Sequence, residues 1–423
     1  MTTDAQEEPQ ALSDGGELDD DQQEVVEVLE GWHAVVTSSR VLIGFGALML
    51  LALVPFATGH WTGVHVTTIH AIASVGVLAI AALQRRYGLG AFALFILVLS
   101  LLWRFEWGLS DEYMAHLIVV ASVFSILASS LNMSVGYTGL MSLSHAGFMG
   151  VGAYAFAVLT TETLNPPPGA EGFNLPYWPS IVVAGIVASV VAFIVSPILR
   201  LRGHFFVLAT VTVMLSLSQV VLAWRWMTNG SLAIREVPRP VIFGYAFDTA
   251  EKFILFSIPV AIVCIVILWR LVESPYGRVL TTIRANPAVA ESIGKNVGFV
   301  RLRVYVITAF FAGVAGAVYV SYVTVAAHSQ YLVEFSTFLL IMVVLGGSGR
   351  WLGAVLGAIA YVTVSEVVRY VPEITEWFHS YISFFPVIPG EKTGGITTMT
   401  WGALLFFLML FRPQGIIGRY RLE

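Results

Sequence analysis

N-M-S-V-G-Y-T-G-L-M-S-L-S-H-A-G-F-M-G-V-G-A-Y, residues 132–154, lies between long apolar runs yet is poor in the aliphatic side chains that face lipid. Gly136, Gly139, Gly147, Gly150 and Gly152 allow close backbone approach or a departure from helix. Asn132, Ser134, Tyr137, Thr138, Ser142, Ser144 and His145 add hydrogen-bonding groups and no fixed charge. Inside a bilayer, broken backbone and dense polarity are tolerated only within protein or along a water-filled path. Two readings follow: helix–helix glue with small residues at the contact, or the lining or gate of a path for something small. The coincidence of glycine and polarity over so many adjacent positions favours the path.

The surrounding composition sets the class. Hydrophobic residues make up 57% of the chain, charged residues only 12%, and mean hydropathy is +0.81, whereas soluble domains are about a quarter charged. Apolar spans are predicted near 41–58, 67–84, 90–104, 113–132, 147–164, 180–199, 204–223, 253–271, 304–325, 334–347, 351–371 and 398–411. Their lengths suit a hydrocarbon core of ~30 Å. The expected fold is an all-α polytopic membrane protein of about 10–12 transmembrane helices, multi-pass in the cell membrane, with the lipid bilayer as its first partner. The span at 334–347 is short enough to be re-entrant.

Chemistry is narrowed by what the sequence lacks. Cys264 stands alone in an apolar run and reads as a buried thiol. No metal-ligand cluster is expected, no nucleophile–base arrangement is defensible, and no nucleic-acid partner is expected. There is no G-x-x-x-x-G-K-[ST] nucleotide cradle, so energy for active transport would arrive through another subunit, and no cofactor is expected on this chain.

Charge is distributed unevenly. The first 30 residues hold eleven acids and no Lys or Arg, leaving 22 basic and 16 acidic residues beyond them. Residues 1–36 are therefore expected to be an acidic, disordered cytoplasmic tail rather than a signal peptide. Residues 37–106 are read as extra N-terminal transmembrane helices, and 107–423 as the core. Basic residues in short loops mark the cytoplasmic side. Arg85 and Arg86, Arg200 and Arg202, the 270–303 loop, and Arg412, Arg419 and Arg421 all fall there if both termini are cytoplasmic and the spans number twelve. The long 224–252 segment, with Arg225, Arg235 and Arg239, departs from that rule and is expected to serve as an external docking surface. Residues 372–397, with Trp377 and Tyr381, are expected to lie along the interface as an aromatic belt.

Further polar groups carry a bland reading beside the functional one. Thr210, Thr212, Ser216, Ser218 and Gln219 are spaced so that several share one helical face, which either lines the same path or back-bonds within its helix. Glu366 and Arg369 are close enough to pair, and snorkelling to the interface explains them best. His145 lacks a neighbouring intramembrane acid in sequence, which argues against a proton relay. The stretch P-Y-G-R-V-L-T-T-I-R-A-N-P-A-V-A-E-S-I-G-K-N-V-G, 275–298, is too long and amphipathic for a plain turn. Pro287 opens a short helix there and Gly294 breaks it, a natural coupling element beyond the bilayer.

From about Tyr113 to Gly415 the sequence resembles the membrane subunits of branched-chain amino-acid ABC importers, of the LivM type, whose relatives include urea and short-amide permeases. The resemblance rests on Leu131–Tyr154, on L-R-G-H-F-F-V-L-A-T at 201–210, on G-R-V-L-T-T-I-R-A-N-P-A-V-A-E-S-I-G-K-N-V at 277–297 with A-F-F-A-G-V-A-G-A-V-Y at 309–319, and on V-V-L-G-G-S-G-R-W-L-G-A-V-L-G-A at 343–358. It implies a permease paired with a second, similar permease, two cytoplasmic ATPase subunits that bind the ATP, and an extracytoplasmic substrate-binding protein. By the same resemblance Asn132, Gly136, Tyr137, Gly139, Ser142, Ser144 and His145 match the region around the pathway or gate. Pro287, Ala290, Glu291 and Gly294 match the ATPase-coupling loop. The implied cargo is a branched-chain or other neutral amino acid, with urea or a short amide as the alternative. Two features depart from the family's pattern: Leu232-Ala233-Ile234 follows Ser231 where a Gly-Ile is usual, and Ser144 replaces a Gly before His145.

Overall fold

The computed structural model describes residues 111–162, 173–201, 203–242, 244–369 and, near the C-terminus, 395, 399, 401–403 and 406. The acidic tail, the extra N-terminal helices, the aromatic belt and most of the last span lie outside the described residues. Five described helices are long and apolar enough to cross a membrane, and three shorter apolar helices accompany them. They are α1 (Asp111–Asn132), α2 (His145–Thr160), α3 (Tyr177–Val195), α4 (His204–Ala223), α5 (Ala250–Glu273), α8 (Val297–Val323), α9 (Val333–Gly346) and α10 (Trp351–Arg369). Between α5 and α8 stand two shorter helices, α6 (Pro275–Ala285) and α7 (Pro287–Ser292). These eight helices overlie the predicted spans, with ends within four residues except at α8, which begins seven residues before the predicted 304. The protein is an all-α multi-pass membrane protein.

The core forms around α8, which packs on α2, α3 and α1, while α5 and α10 flank α1. In the most apolar window of α8, 78% of residues are buried, and in α1 72%, against 28% in α3 and 17% in α4. Glycine sets the closest approach. A Cβ added at Gly152 would lie 2.3 Å from the Gly313 Cα, and one at Gly316 would lie 2.1 Å from the Met149 carbonyl oxygen. The backbones of α2 and α8 therefore touch directly, and any side chain there would drive them apart.

α9 has 14 residues, about 21 Å of helix, shorter than the ~30 Å hydrocarbon core. The 3-10 turn His328–Tyr331 precedes it and packs Tyr331 on Gly150 and Tyr154, midway along α2. The non-helical backbone of this turn therefore lies beside the middle of α2.

The described residues of the 224–252 segment include short strands. Strand β1 (Ile234–Arg235) pairs antiparallel with β4 (Val325–Ala326), and β2 (Val241–Ile242) with β3 (Tyr245–Ala246). Arg239 donates to the Asp248 carbonyl and, at 3.4 Å, to the Tyr322 carbonyl, so this arginine ties the segment to the end of α8. The Lys252 ammonium, 2.7 Å from Asp248, holds the Asp248 carboxyl below its ordinary range through their hydrogen bond. Trp226 and Leu232 stand 64% and 63% exposed.

Candidate functional site

α1 does not end in a plain cap. Met133–Tyr137 forms a π-helical turn, the wider winding that often marks functional sites. Leu140 N–H then bonds back to the Ser134 carbonyl at 3.0 Å, and the Thr138 hydroxyl donates to the same oxygen. Asn132 is 1% exposed and holds this turn to the one between α9 and α10. Its Nδ2 donates to the Arg350 carbonyl at 2.9 Å, and its Oδ1 accepts from Gly349 N–H at 3.0 Å. The junction requires Gly136, where an added Cβ would lie 2.5 Å from Gly349 N and 2.0 Å from Asn132 Oδ1.

The next residues are stapled from three other helices. Leu143 N–H donates to Thr210 Oγ1 of α4 at 3.1 Å, and Ala146 N–H to Ser336 Oγ of α9 at 3.3 Å. The Ser142 and Ser144 hydroxyls lie 2.8 Å apart, and Ser144 shares a second 2.8 Å bond with the Tyr305 hydroxyl of α8. His145 Nε2 meets the Ser130 hydroxyl at 2.8 Å. The predicted site residues Asn132, Gly136, Tyr137, Ser142, Ser144 and His145 are thus brought together and buried, with Gly139 alone exposed. Most of their polar groups serve one another and neighbouring backbone, which in this conformation is the work of helix–helix glue.

α4 divides its polar residues between two faces. Thr210 points inward and is fully buried, Ser218 is half-buried, and Thr212, Ser216 and Gln219, spaced at helical i, i+4 and i+7, are exposed. The shared face noted in the sequence therefore turns away from the Asn132–His145 break. Thr212 back-bonds to the Leu208 carbonyl at 3.1 Å.

At the end of the bundle where α1 breaks lies the α6–α7 pair. Ser274 accepts from Tyr276 N–H to cap α6, and Asn286 accepts from Ala288 and Val289 N–H to cap α7, with Pro287 in its first turn. Tyr276 leans on α8 with its hydroxyl 3.4 Å from the Val300 carbonyl. Burial pushes its phenol above the ordinary value, and Arg303 opposes that shift. Gly294 closes α7 in left-handed backbone, φ 77°. Ala290, matched by resemblance to a docking surface, turns inward instead and is fully buried against Ile283 and Val297. Its small side chain lets α7 lie flat, and the outward face is carried by Glu291 with Val289 and Ile293, 49% and 61% exposed.

Arg284, at the last turn of α6, donates to the Gly136 carbonyl, and its stem passes 3.4 Å from where a Gly139 Cβ would sit. The helix pair and the break are therefore in direct contact. Sequence reasoning missed Arg284, Val289 and Ile293. A basic residue closing a short helix, and two large apolar residues four apart beside Glu291, were the available signals.

Glu366 and Arg369 pair at 4.0 Å as expected, with Arg369 60% exposed. Glu366 also accepts from the Tyr113 hydroxyl at 2.5 Å. A second polar feature was not read from the sequence at all. Tyr154 and Tyr331, each 4% exposed, bury hydroxyls that have no hydrogen-bond partner among the described residues. Among the described residues no group of His, Cys, Asp and Glu is placed to hold a metal ion.

A bundle of apolar helices, one broken at a buried polar junction and touched there by an amphipathic helix pair, defines a multi-pass membrane protein with irregular helices of the kind transport proteins use. The sequence profile described as "Branched-chain amino acid transport system / permease component" matches residues 113–411, well over half of the chain, and the protein belongs to this family. The chain is 26% identical over 354 residues to the high-affinity branched-chain amino acid transport system permease protein LivM of Escherichia coli (strain K12), covering 78% of this chain and 75% of that one. LivM of Salmonella typhimurium is similar to the same degree. A probable branched-chain amino acid transport permease protein LivM of Methanocaldococcus jannaschii is 24% identical over 333 residues, covering 73% of this chain and 94% of its own. No solved structure matches the chain.

Proposed function

We propose that this chain is the transmembrane permease subunit of an ATP-driven importer for branched-chain or other neutral amino acids. Both termini are cytoplasmic, residues 107–423 form the transporting core, and 1–36 and 37–106 are additions to it. A second, similar permease covers the outer face of α4, whose exposed Thr212, Ser216 and Gln219 are expensive to leave against lipid. Two cytoplasmic ATPases, which bind the ATP, dock on the α6–α7 pair. An extracytoplasmic binding protein docks on the 224–252 segment, whose exposed Trp226 and Leu232 suit a protein interface.

One observation carries this reading: the Arg284 side chain joins the α6–α7 pair to the Gly136 carbonyl in the helix break. Motion imposed on α7 from outside the bilayer reaches that break through α6, on which Ala290 packs at Ile283, and the Arg284 contact. Asn132, Gly136, Tyr137, Gly139, Ser142, Ser144 and His145 then act as the hinge and frame of an inner gate, while Pro287, Ala290 and Gly294 shape the element on which Glu291 is presented. A cytoplasmic position for α6–α7 is supported by the basic residues of the 270–303 loop.

The test is reconstitution of the chain with a second permease, the ATPases and the binding protein. Uptake of radiolabelled leucine is expected only with ATP and binding protein present, and uptake persisting without the ATPases would end the proposal. Glu291→Arg is expected to lower uptake by about tenfold while ATP hydrolysis continues, because reversing an exposed interface charge weakens docking without touching the fold. Unchanged uptake in that variant would remove α7 from the coupling role.

A further inference from the structure

We propose that the cavity between α2, α4 and the His328–Tyr331 turn is a cargo site in its closed form, in which the phenol hydroxyls of Tyr154 and Tyr331 bind the carboxylate of an aliphatic amino acid. The inference rests on the importer reading above and adds to it where the cargo is held. The cavity is lined by both tyrosines, by His328 and Ser218, and by an apolar wall that includes Met214, Leu217 and Val221. Its volume is about 20 Å³, room for one water molecule and far less than leucine occupies.

Three observations point to a ligand. Both tyrosines are more than nine-tenths buried and line this cavity, and neither hydroxyl has a partner among the described residues, whereas buried polar groups are satisfied almost without exception. The Tyr154 and Tyr331 rings lie edge to face with centroids 6.2 Å apart, so the two phenols stand side by side in one wall. The turn that carries His328 and Tyr331 is non-helical backbone at the depth of the middle of α2, an arrangement tolerated where it lines a cavity.

The lining suits two parts of an amino acid, its carboxylate and its side chain. A carboxylate accepts strong, charge-assisted hydrogen bonds from hydroxyl donors, and the Met214, Leu217 and Val221 wall suits a branched hydrocarbon side chain. Opening falls to α4. Only 17% of its apolar window is buried, so it is the wall least held by the rest of the chain. The Gly147 backbone, where an added Cβ would meet Met214 Sδ at 2.9 Å, lets α4 seat closely when the site is shut.

Tyr154→Phe, Tyr331→Phe and the double variant test this in the full reconstituted complex, with saturating binding protein and radiolabelled L-leucine. Each single variant is expected to lower the maximal uptake rate by at least about fivefold, and the double variant further. Binding-protein-stimulated ATP hydrolysis should stay within about twofold of the wild type. The thermal midpoint should hold or rise, since each variant deletes only an unpartnered hydroxyl. Wild-type uptake in the double variant would overturn the proposal, as would uptake and hydrolysis falling together with a lowered midpoint. If the unmodified complex takes up no leucine with ATP, the importer reading fails first, and that result is separate from either outcome in the variants.

Discussion

The break at Asn132–His145 and the outer face of α4 are both polar stretches set in apolar helices, and they dispose of their polar groups in opposite ways. In the break, Asn132, Ser142, Ser144 and His145 are buried and bonded to Gly349, Arg350, Tyr305 and Ser130 or to one another. On α4, Thr212, Ser216 and Gln219 face outward and are exposed. Polarity inside a membrane is therefore two different signals. Where partners lie within the same chain, it is architecture. Where a polar face is exposed among the described residues, as at Ser216 and Gln219, a neighbouring element has to meet it.

Substitutions can break or sharpen that contrast. Gly136→Ala should have the largest effect, because its Cβ would overlap Gly349 N and Asn132 Oδ1. A loss of about 3 kcal/mol or more is expected, seen as failure to recover monodisperse protein in detergent. A wild-type thermal midpoint would mean that the junction is looser than described. Asn132→Ala comes next. It strands the Gly349 N–H and the Arg350 carbonyl and should cost about 2–3 kcal/mol, measured as a lowered midpoint, with Asn132→Asp expected to restore the bond to Gly349 only.

Arg284→Ala removes the link rather than the frame. Its expected signature is about a tenfold fall in uptake with ATP hydrolysis largely retained, equivalent to roughly 1.4 kcal/mol of coupling. Equal losses of both activities would make Arg284 an ordinary structural contact. The smallest effect on folding belongs to Gln219→Leu. On an exposed helical face it should change the stability of the isolated chain by no more than about 0.5 kcal/mol. Co-purification with the proposed second permease should nevertheless fall if that subunit covers this face. A large loss of stability in the isolated chain would return α4 to the interior.

Much of the fold was legible without coordinates. Apolar runs of nearly uniform length mark α1 to α5, α8 and α10, since a helix is the structure that satisfies its own backbone in lipid. Pro287 and Gly294 bounded α7 by fixed φ at one end and left-handed backbone at the other. The break between α1 and α2 was legible from glycine and hydroxyl density. Its internal use was not, because Gly349, Arg350, Tyr305 and Ser336 lie more than 150 residues away along the chain. The orientation of Ala290 was equally out of reach, since six residues are too few for periodicity to say which face packs.

The residues alone thus determined the class, the order and approximate extent of the described spans, and the places where helix must fail, each of which is a local consequence of hydropathy and backbone freedom. Tertiary structure decided which polar groups have partners. It buried the hydroxyls of the 132–145 break among themselves, left those of α4 outside, set Arg284 against Gly136, and enclosed the Tyr154 and Tyr331 phenols without partners. Each of these outcomes depends on which helices lie side by side, which hydropathy and local backbone preference do not specify.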